Sequence, residues 1–556
     1  MRHPPQLASR SMDLTATELH FATVFEAMAD AFGDADAVVH GTERMLWSEY
    51  DDAAARIAGF LDANGIRTDQ KVGLFLYNSN EYLTAQYATF KNRAVPVNVN
   101  YRYLDDELAY LLENADVEAL FFHDSLADRV ARVSDRLPKL RVMVQVPEQA
   151  ERGTTGLVPG ATWWSDAIAA DPAPRRTRSA DEVYMLFTGG TTGMPKGVMF
   201  KMGDFVNRML GGCYAYRGWT PPASPADILP FARAHADQGA RRVSIPACPL
   251  MHGTGMWLGA IYAHLLGGAV VTLAGHHFDA DRLWRVAEQE RADSITIVGD
   301  AFARPMLDAL DRAAAAHRPF KLDDLRVIQS SGVMWSAEVQ NGLLHHLDVR
   351  LADSMGSTEA GMARRIVTRG TPIETAVFEL LPTSRVFTED GREVVAGSSE
   401  IGKLAAGACV PLGYYKDPEK SAATFPTIAG NRYTVAGDWA SVDDRGRVVL
   451  LGRGSNCINT GGEKVFPEEV EEAMKRLPDV EDCLVVGVPD PRFGERVVAV
   501  VALRPESAAS GDALMAELRG RISSYKAPRT VHVVERIARA ANGKADYAWA
   551  RAVAIP

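Results

Sequence analysis

The sequence predicts an α/β protein: a large multi-lobed N-terminal domain with parallel-sheet subdomains and a β-rich subdomain, then a small α+β C-terminal domain. Three observations support this. The 556 residues exceed what one hydrophobic core usually serves. Short apolar runs alternate with segments of helical spacing, as parallel strands joined by helical crossovers do. A polar, flexible stretch from Gly452 to Asn456 then separates one strand pattern from a new α/β pattern, which places the domains at 1–453 and 454–556.

The elements follow in order. TVFEAMADAF and SEYDDAAARIAGFLDANGI carry apolar residues at helical spacing, and Gly65 is well placed to stop the second helix. KVGLFLY (71–77), VEALFFH (117–123) and LRVMVQV (140–146) read as buried central strands, with a helix through EYLTAQYATFKNRA after the first. Further strands are expected at 242–246, 270–274, 294–298 and 325–329, and helices at 256–266, 279–291 and 301–316. The proline-rich stretch Trp219–Gly239 reads as a surface insertion. After about residue 370 short strands and glycine turns take over. The last hundred residues offer helices at 467–477 and 511–522 and strands at 482–488 and 496–503.

Composition narrows the class. With 47% hydrophobic and 24% charged residues and 5 cysteines, the chain is neither disordered, collagen-like nor a disulfide scaffold. A net charge of −11 argues against long nucleic acid as a partner, which needs a concentrated basic footprint, but leaves room for small anions held by a few local cations. The cysteines are scattered and odd in number, which fits reduced thiols and a cytoplasmic compartment. The N-terminus lacks a continuous apolar signal region. Gly255–Gly275 approaches the length of a membrane crossing, but Gly267-Gly268 divides it and His264 interrupts it, so a buried helix and strand fit better than a span.

The segment richest in chemistry is Tyr184–Gly197, YMLFTGGTTGMPKG. A buried strand ends at Thr188 and is followed by Gly189, Gly190, Thr191, Thr192, Gly193 and Lys196. Glycines let the backbone turn its N–H groups toward phosphate oxygens, threonines add donors, and the lysine adds a cation. A Walker A loop is excluded, because no contiguous Gly-Lys-Ser/Thr follows.

This pattern resembles the adenylate-forming superfamily of acyl-CoA synthetases, adenylation domains and luciferases. The resemblance continues in order along nearly the whole chain. Asp353-Ser-Met-Gly-Ser-Thr-Glu-Ala-Gly361 resembles the adenine and magnesium motif, and Ala436-Gly-Asp-Trp439 the ribose motif. Gly452-Arg453 and the later GGEKVFPEEVE from Gly461 resemble the hinge and the loop after it, and Asn542-Gly-Lys544 the catalytic-lysine motif.

The resemblance implies ATP, Mg²⁺ and CoA as cofactors and a two-step reaction through an acyl-adenylate. It assigns nucleotide binding to the Thr188–Lys196 loop, Ser331, Gly332, Asp353, Ser354, Met355, Gly356, Thr358, Asp438, Arg453 and Lys544. Mg²⁺ falls to Thr188 and Glu359, and Lys544, Thr188, Lys196, Glu359 and His252 are the catalytic candidates. A mobile small domain is implied, bringing Gly461, Gly462 and Lys464 to a thiol tunnel, although Arg492 and Lys526 also compete for the CoA phosphates. Two positions depart from the pattern: Met355 stands where an adenine-stacking Tyr is common, and Ser455 where the hinge carries Asp or Lys.

A looser resemblance, to actinobacterial CoA ligases of fatty acids and steroid side-chain acids, assigns the acyl pocket to Met209, His252, Trp257, Gly332, Val333 and Met355. The partners implied are a small carboxylic acid and CoA, without nucleic acid or a stable membrane span; a homodimer stays open. The alternatives are transfer of the acyl group to a carrier-protein thiol, or a weakly catalytic nucleotide-responsive binding protein. The doublets His276-His277 and His345-His346 are not expected to bind metal.

Overall fold

Two sheets with parallel cores frame the large domain. In one, Lys71–Phe75 lies between Val95–Asn98 and Val117–His123, and Val142–Val146 and Ala161–Trp163 extend it, every pair parallel. Leu120, Phe121 and Phe122 are fully buried, so side chains on both faces of this sheet are covered, which is why the strand reads as a continuous apolar run. The helix Asn80–Asn92 crosses from the first strand; Ser79 accepts the Tyr82 N–H at 3.2 Å and so starts it. The computed structural model describes residues 14–148, 156–188, 195–240, 242–333, 335–453, 456, 458–460, 463–490, 494–519, 521–522, 526–539 and 543–555.

In the other sheet, Ala269–Thr272, Val243–Pro246, Ser294–Ile297, Val327–Ser331 and Arg350–Gly356 run parallel in that order, with Asp36–His40 beside the first. After Gly356 the chain reverses into Gly361–Val367, and the later strands Val377–Leu380, Val448–Arg453, Asp438–Val442, Gly402–Ala406 and Ser384–Phe387 follow. The β-rich region expected after residue 370 therefore exists, with its own core of Met362, Phe378, Leu404 and Val448. Its backbone ladder nevertheless continues the parallel sheet, because an antiparallel reversal needs only a short turn.

Two segments differ from expectation. The helix expected at 256–266 opens as wide π-helical turns over Thr254–Ile261 before the short α-helix Tyr262–His264. Its glycines let it press on the sheet: a Cβ at Gly259 would lie 2.6 Å from Pro246 Cβ. The stretch 219–239, expected as a surface insertion, holds the helix Ile228–Asp237, whose Ile228 and Ala232 are buried against the core.

The C-terminal region is built on a long antiparallel pair, Val480–Asp490 and Gly494–Leu503. Ile458–Thr460, extended by Glu463–Val465, pairs with the start of Gly494–Leu503, and Thr530–Val534 pairs in parallel further along that same strand, on its edge away from Val480–Asp490. Alternation sends Cys483 and Val485 to a core with Val470 and Met474, and Leu484 and Val486 to a second core with Ala550 and Ala554. The final strand Thr530–Val534 and helix Tyr547–Ala554 carry weak periodicity and were not expected from the sequence. Among the described residues no helix is long and apolar enough to cross a membrane.

Candidate active site

The parallel strands deliver their C-terminal ends to one side of the sheet, where open α/β sheets bind ligands. Ile297 leads to Val298 and Asp300, Ser331 to Gly332, and Gly356 to the turn Ser357–Ala360. These ends line a cavity of about 1260 Å³. That exceeds the roughly 300–1,000 Å³ of an ordinary small-ligand pocket, so two ligands fit together.

Thr188 ends the strand Val183–Thr188 at the cavity and pairs across the ladder with Lys196. Gly189, Gly190, Thr191, Thr192 and Gly193 lie outside the described residues. Asn98 braces the end of this strand. It donates to the carbonyls of Phe187 at 2.8 Å and Met251 at 2.6 Å and accepts the Phe187 N–H at 2.7 Å, so Thr188 and His252 are held toward the same space.

Glu359 sits in the tight turn closed by Ser357 N–H to the Ala360 carbonyl at 2.9 Å. The Tyr414 hydroxyl donates to Glu359 Oε1 at 2.7 Å; burial and the carboxylate raise the Tyr414 pKa, which keeps that proton on the phenol. Lys196 lies over the Tyr414 ring at 5.5 Å and pairs with Asp417 at 3.1 Å. Its ammonium is therefore tethered beside Glu359 through the tyrosine. The donor chemistry lining the cavity fits Mg²⁺: the Glu359 carboxylate and the hydroxyls of Thr188 and Thr358 are hard oxygens that suit a cation bound chiefly through phosphates. Among the described residues no group of three or more His, Cys, Asp or Glu could hold a metal by itself.

Asp353, Ser354, Met355, Gly356 and Thr358 line the cavity too. Asp353 is buried and accepts from Arg365 at 2.9 Å; burial pushes its carboxyl up to about 7 against that guanidinium. Ser354 offers its carbonyl to the Ser331 hydroxyl at 2.9 Å, which ties two adjacent strand ends. Met355 packs with Ala360, Met362 and Phe378, an apolar wall for a flat ring. Asp438 lines the cavity, and Arg453 stands directly opposite it in the ladder of Asp438–Val442 and Val448–Arg453, two residues that only tertiary pairing brings together.

The acyl-pocket candidates Met209, His252, Trp257, Gly332, Val333 and Met355 all line the same cavity. Trp257 donates its indole N–H to Tyr184 at 2.7 Å and packs against Phe205 at 5.0 Å, which fixes its ring as a wall. Half-buried His252 titrates low, at about 4: removal from water disfavours the imidazolium, and the charges of Lys544 and Arg102 add to that. It is a neutral wall residue at physiological pH.

Lys544 reaches this cavity from the small domain. Gly543 makes the approach possible. Its φ of +74° suits glycine, and a Cβ there would lie 2.9 Å from Ala301 Cβ at the start of the helix Asp300–Ala315. Arg539 holds the turn from behind, donating to the Gly543 carbonyl at 3.1 Å and gripping Asp482 through two bonds of 2.7 Å. Asp482 also meets Lys475 at 3.4 Å. Arg504 clamps the domains together on Glu338 at 2.9 Å.

The remaining candidates are less constrained. Gly461, Gly462, Ser455 and Arg492 lie outside the described residues, and the backbone of Lys464 pairs with Asn459 in a short hairpin. Lys526 pairs with Glu469 at 2.6 Å. His276 stacks on Tyr77 at 3.8 Å, and His346 meets Asp311 at 2.7 Å. Sequence reasoning missed Asn98, Tyr414, Asp417 and Arg539. Asp417 did carry a signal, since Asp-Pro-Glu announces a helix start, but that the same carboxylate pairs with Lys196 is a tertiary fact.

A cavity sized for two ligands, walled by a large α/β domain and entered by one lysine of a small domain, defines a two-domain adenylate-forming fold. The chain belongs to the AMP-binding enzyme family: residues 25–415 match its main domain and residues 469–544 its C-terminal domain. It is 38% identical, over 96% of this chain and 95% of the other, to the 3-oxocholest-4-en-26-oate–CoA ligase of Rhodococcus rhodochrous. It is 36% identical to a medium-chain acyl-CoA ligase of Mycobacterium avium, covering 98% of this chain and all (100%) of that one. Its fold matches the crystal structure of an anthranilate CoA ligase in complex with anthranoyl-AMP, with a TM-score of 0.80 at 21% identity over 98% of both chains.

Proposed function

We propose that this protein is an AMP-forming acyl-CoA synthetase acting on a hydrophobic carboxylic acid, of the fatty-acid or steroid side-chain class named for its relatives. The observation that carries this reading is that Lys544 of the small domain lines one cavity with Glu359, Asp438 and His252 of the large domain.

In the first step a carboxylate oxygen attacks the α-phosphorus of ATP; the new P–O bond forms as the bond to pyrophosphate breaks, giving an acyl-adenylate. Two anions meet in this step, so the developing charge needs fixed donors and cations. Lys544 bridges the carboxylate and α-phosphate. Thr188, Thr358 and the adjoining glycine loop donate to phosphate oxygens, with Lys196 beside them. Glu359 and Thr188 would hold Mg²⁺, which would offset phosphate charge. Asp438 and Arg453 take the ribose, and Met355 backs the adenine. Neutral His252 separates the acid from the thiol approach without attracting the carboxylate away from Lys544.

In the second step the CoA thiolate attacks the acyl carbonyl and AMP leaves with the bonding electron pair. The small domain turns about the segment after Arg453, withdrawing Lys544 and presenting the loop of Gly461, Gly462 and Lys464. Cys213, Cys248, Cys409 and Cys483 are free thiols, which supports work in a reducing, cytoplasmic compartment.

The test is a panel of short, long, aromatic and steroid acids with ATP and Mg²⁺, with and without CoA. Acid-dependent pyrophosphate release and CoA-dependent AMP and acyl-CoA formation are expected. No carboxylate-dependent AMP with any member of the panel would sink the synthetase reading.

A further inference from the structure

The mechanism above leaves one part of the cavity wall unused. On the helix Met202–Arg217, Arg208, Gly211, Gly212 and Tyr216 all face the cavity, and Arg364 of the strand Gly361–Val367 and Tyr262 join them there. Arg208 lies against aromatic faces, 5.6 Å from the Phe205 centroid and 5.7 Å from that of Trp257, and its Nη1 is buried without a hydrogen-bond partner. Its guanidinium also donates to the Cys409 thiol, which burial keeps protonated with a pKa of about 11, so that contact supplies no negative charge.

Arg364 stands opposite Ser354 on one neighbouring strand and opposite the exposed Glu379 on the other, without an ion pair to it, and Ser354 shares a hydrogen bond with the Tyr216 hydroxyl. Among the described residues neither Arg208 nor Arg364 has a carboxylate partner. Their sequence neighbours behave differently: Arg217, later on the same helix, pairs with Asp293 at 2.9 Å, and Arg365 pairs with Asp353 at 2.9 Å.

The backbone makes room for this group. Gly212 has no side chain, and a Cβ there would collide with the Tyr262 hydroxyl. A Cβ at Gly211 would meet nothing within 4 Å, so the space beside the helix is open. The two parts of the cavity also lie in different fields. Arg208 and Arg364 act on Tyr216 and Tyr262, whereas Lys544 and Arg102 act on His252.

We propose that Arg208 and Arg364, with the hydroxyls of Tyr216 and Tyr262, form a subsite for an oxygen-bearing group at the end of the acid remote from its reacting carboxylate. The preferred substrate is then amphiphilic: an apolar span along Met209, Trp257 and Met355, ending in an oxo, hydroxyl or carboxylate group. A partly desolvated guanidinium that makes no ion pair is costly, and a ligand oxygen relieves that cost; a terminal methyl leaves the donors unmet. This inference rests on the synthetase reading and names the substrate class of the same cavity. Sites built to hydrogen-bond a substrate oxygen discriminate by up to 10⁴ or more when dry; with these arginines half-buried, roughly 10- to 100-fold is expected.

The test compares monocarboxylic, ω-hydroxy, ω-oxo and α,ω-dicarboxylic acids of matched chain length, read as kcat/KM for pyrophosphate release. The wild type should favour the oxygen-terminated acids at least about tenfold, the dicarboxylate most because it meets two cations. R364M should bring the dicarboxylate down to the level of the monocarboxylic acid, and R364K should keep part of the preference. Equal kcat/KM across the series, or a preference that survives in both R364M and R208M, would overturn the subsite. Pyrophosphate release with none of the acids would overturn the synthetase reading and the subsite with it.

Discussion

The two ends of the cavity are built by opposite means. At the nucleotide end the charged groups are already held by one another or by the backbone: Lys196 by Asp417, Glu359 by Tyr414, Asp353 by Arg365. They stand on strand ends and short turns, where a few consecutive residues make the whole surface. At the acyl end the wall is one helical face and one strand, its residues spaced by the helix turn, and its two arginines lack carboxylate partners among the described residues. On the proposed reading the first end is preorganised for the phosphates of the nucleotide, and the second, with its polarity left open, is where discrimination between acids is expected.

The largest effect expected is at Lys544. Lys544→Ala should slow acyl-adenylate formation by about 10³-fold or more, as loss of a cation aimed at developing charge does. Transfer from a preformed acyl-adenylate to CoA should fall by less than about tenfold in the same protein, since that step uses a different domain orientation. Equal losses in the two half-reactions would show that the lysine serves the fold rather than the first step. Next comes Glu359→Gln, expected to lower adenylation roughly 10²-fold and to raise the Mg²⁺ concentration needed for half-maximal rate. An unchanged Mg²⁺ requirement would remove Glu359 from the metal site.

Asp482→Asn tests positioning. Without the carboxylate, Arg539 loses its anchor behind the Gly543 carbonyl, and Lys544 shifts. A loss of roughly tenfold in adenylation is expected, with transfer to CoA spared. A uniform loss in both half-reactions, matched by a fall in Tm, would mark the pair as structural only. At the other end, Gly211→Phe fills the open space beside the helix and should cut kcat/KM for long or polycyclic acids by about tenfold while short acids keep theirs. The acid panel reads this directly, and an unaltered length profile would place the acyl chain elsewhere.

The smallest effect concerns pH. His252 titrates at about 4 in the folded protein, below its ordinary value of 6.5. Between those values the unfolded chain binds the proton more readily. The His252 contribution to stability is therefore complete above pH 6.5 and is lost progressively as the pH falls toward 4. Urea denaturation at pH 7.5 and pH 5 should show a smaller pH dependence in His252→Gln than in the wild type. The change is partial, because His123 and His264 are also held near 4 by burial. Activity between pH 5.5 and 8 should show no limb that disappears with His252; one that did would mean the imidazole is charged during turnover.

The residues of the proposed nucleotide end stand out in the sequence because they are contiguous. Thr188 to Lys196, Asp353 to Glu359 and Gly543-Lys544 are each short runs in which glycine freedom and polar donors coincide. The parallel strands were legible as well, through runs such as VEALFFH, whose Ala119–Phe122 are four consecutive apolar residues. What escaped has no local signature. Asn98 is an ordinary strand-end residue until Phe187 and Met251 arrive beside it from 89 and 153 residues away. Thr530–Val534 is half-exposed and alternates weakly, so only its pairing with Gly494–Leu503 makes it a strand.

By itself the sequence determined the fold class, most of the parallel strands, and the residue types available for phosphate, sugar and cation, because these follow from local spacing and backbone freedom. Only the tertiary structure decided how they meet. It set Asp438 opposite Arg453, carried Lys544 across to His252, and left Arg208 and Arg364 without ion pairs among the described residues while pairing Arg217 and Arg365. The physical reason is that charge and hydrogen bonding act over a few ångströms of space, whatever the distance along the chain.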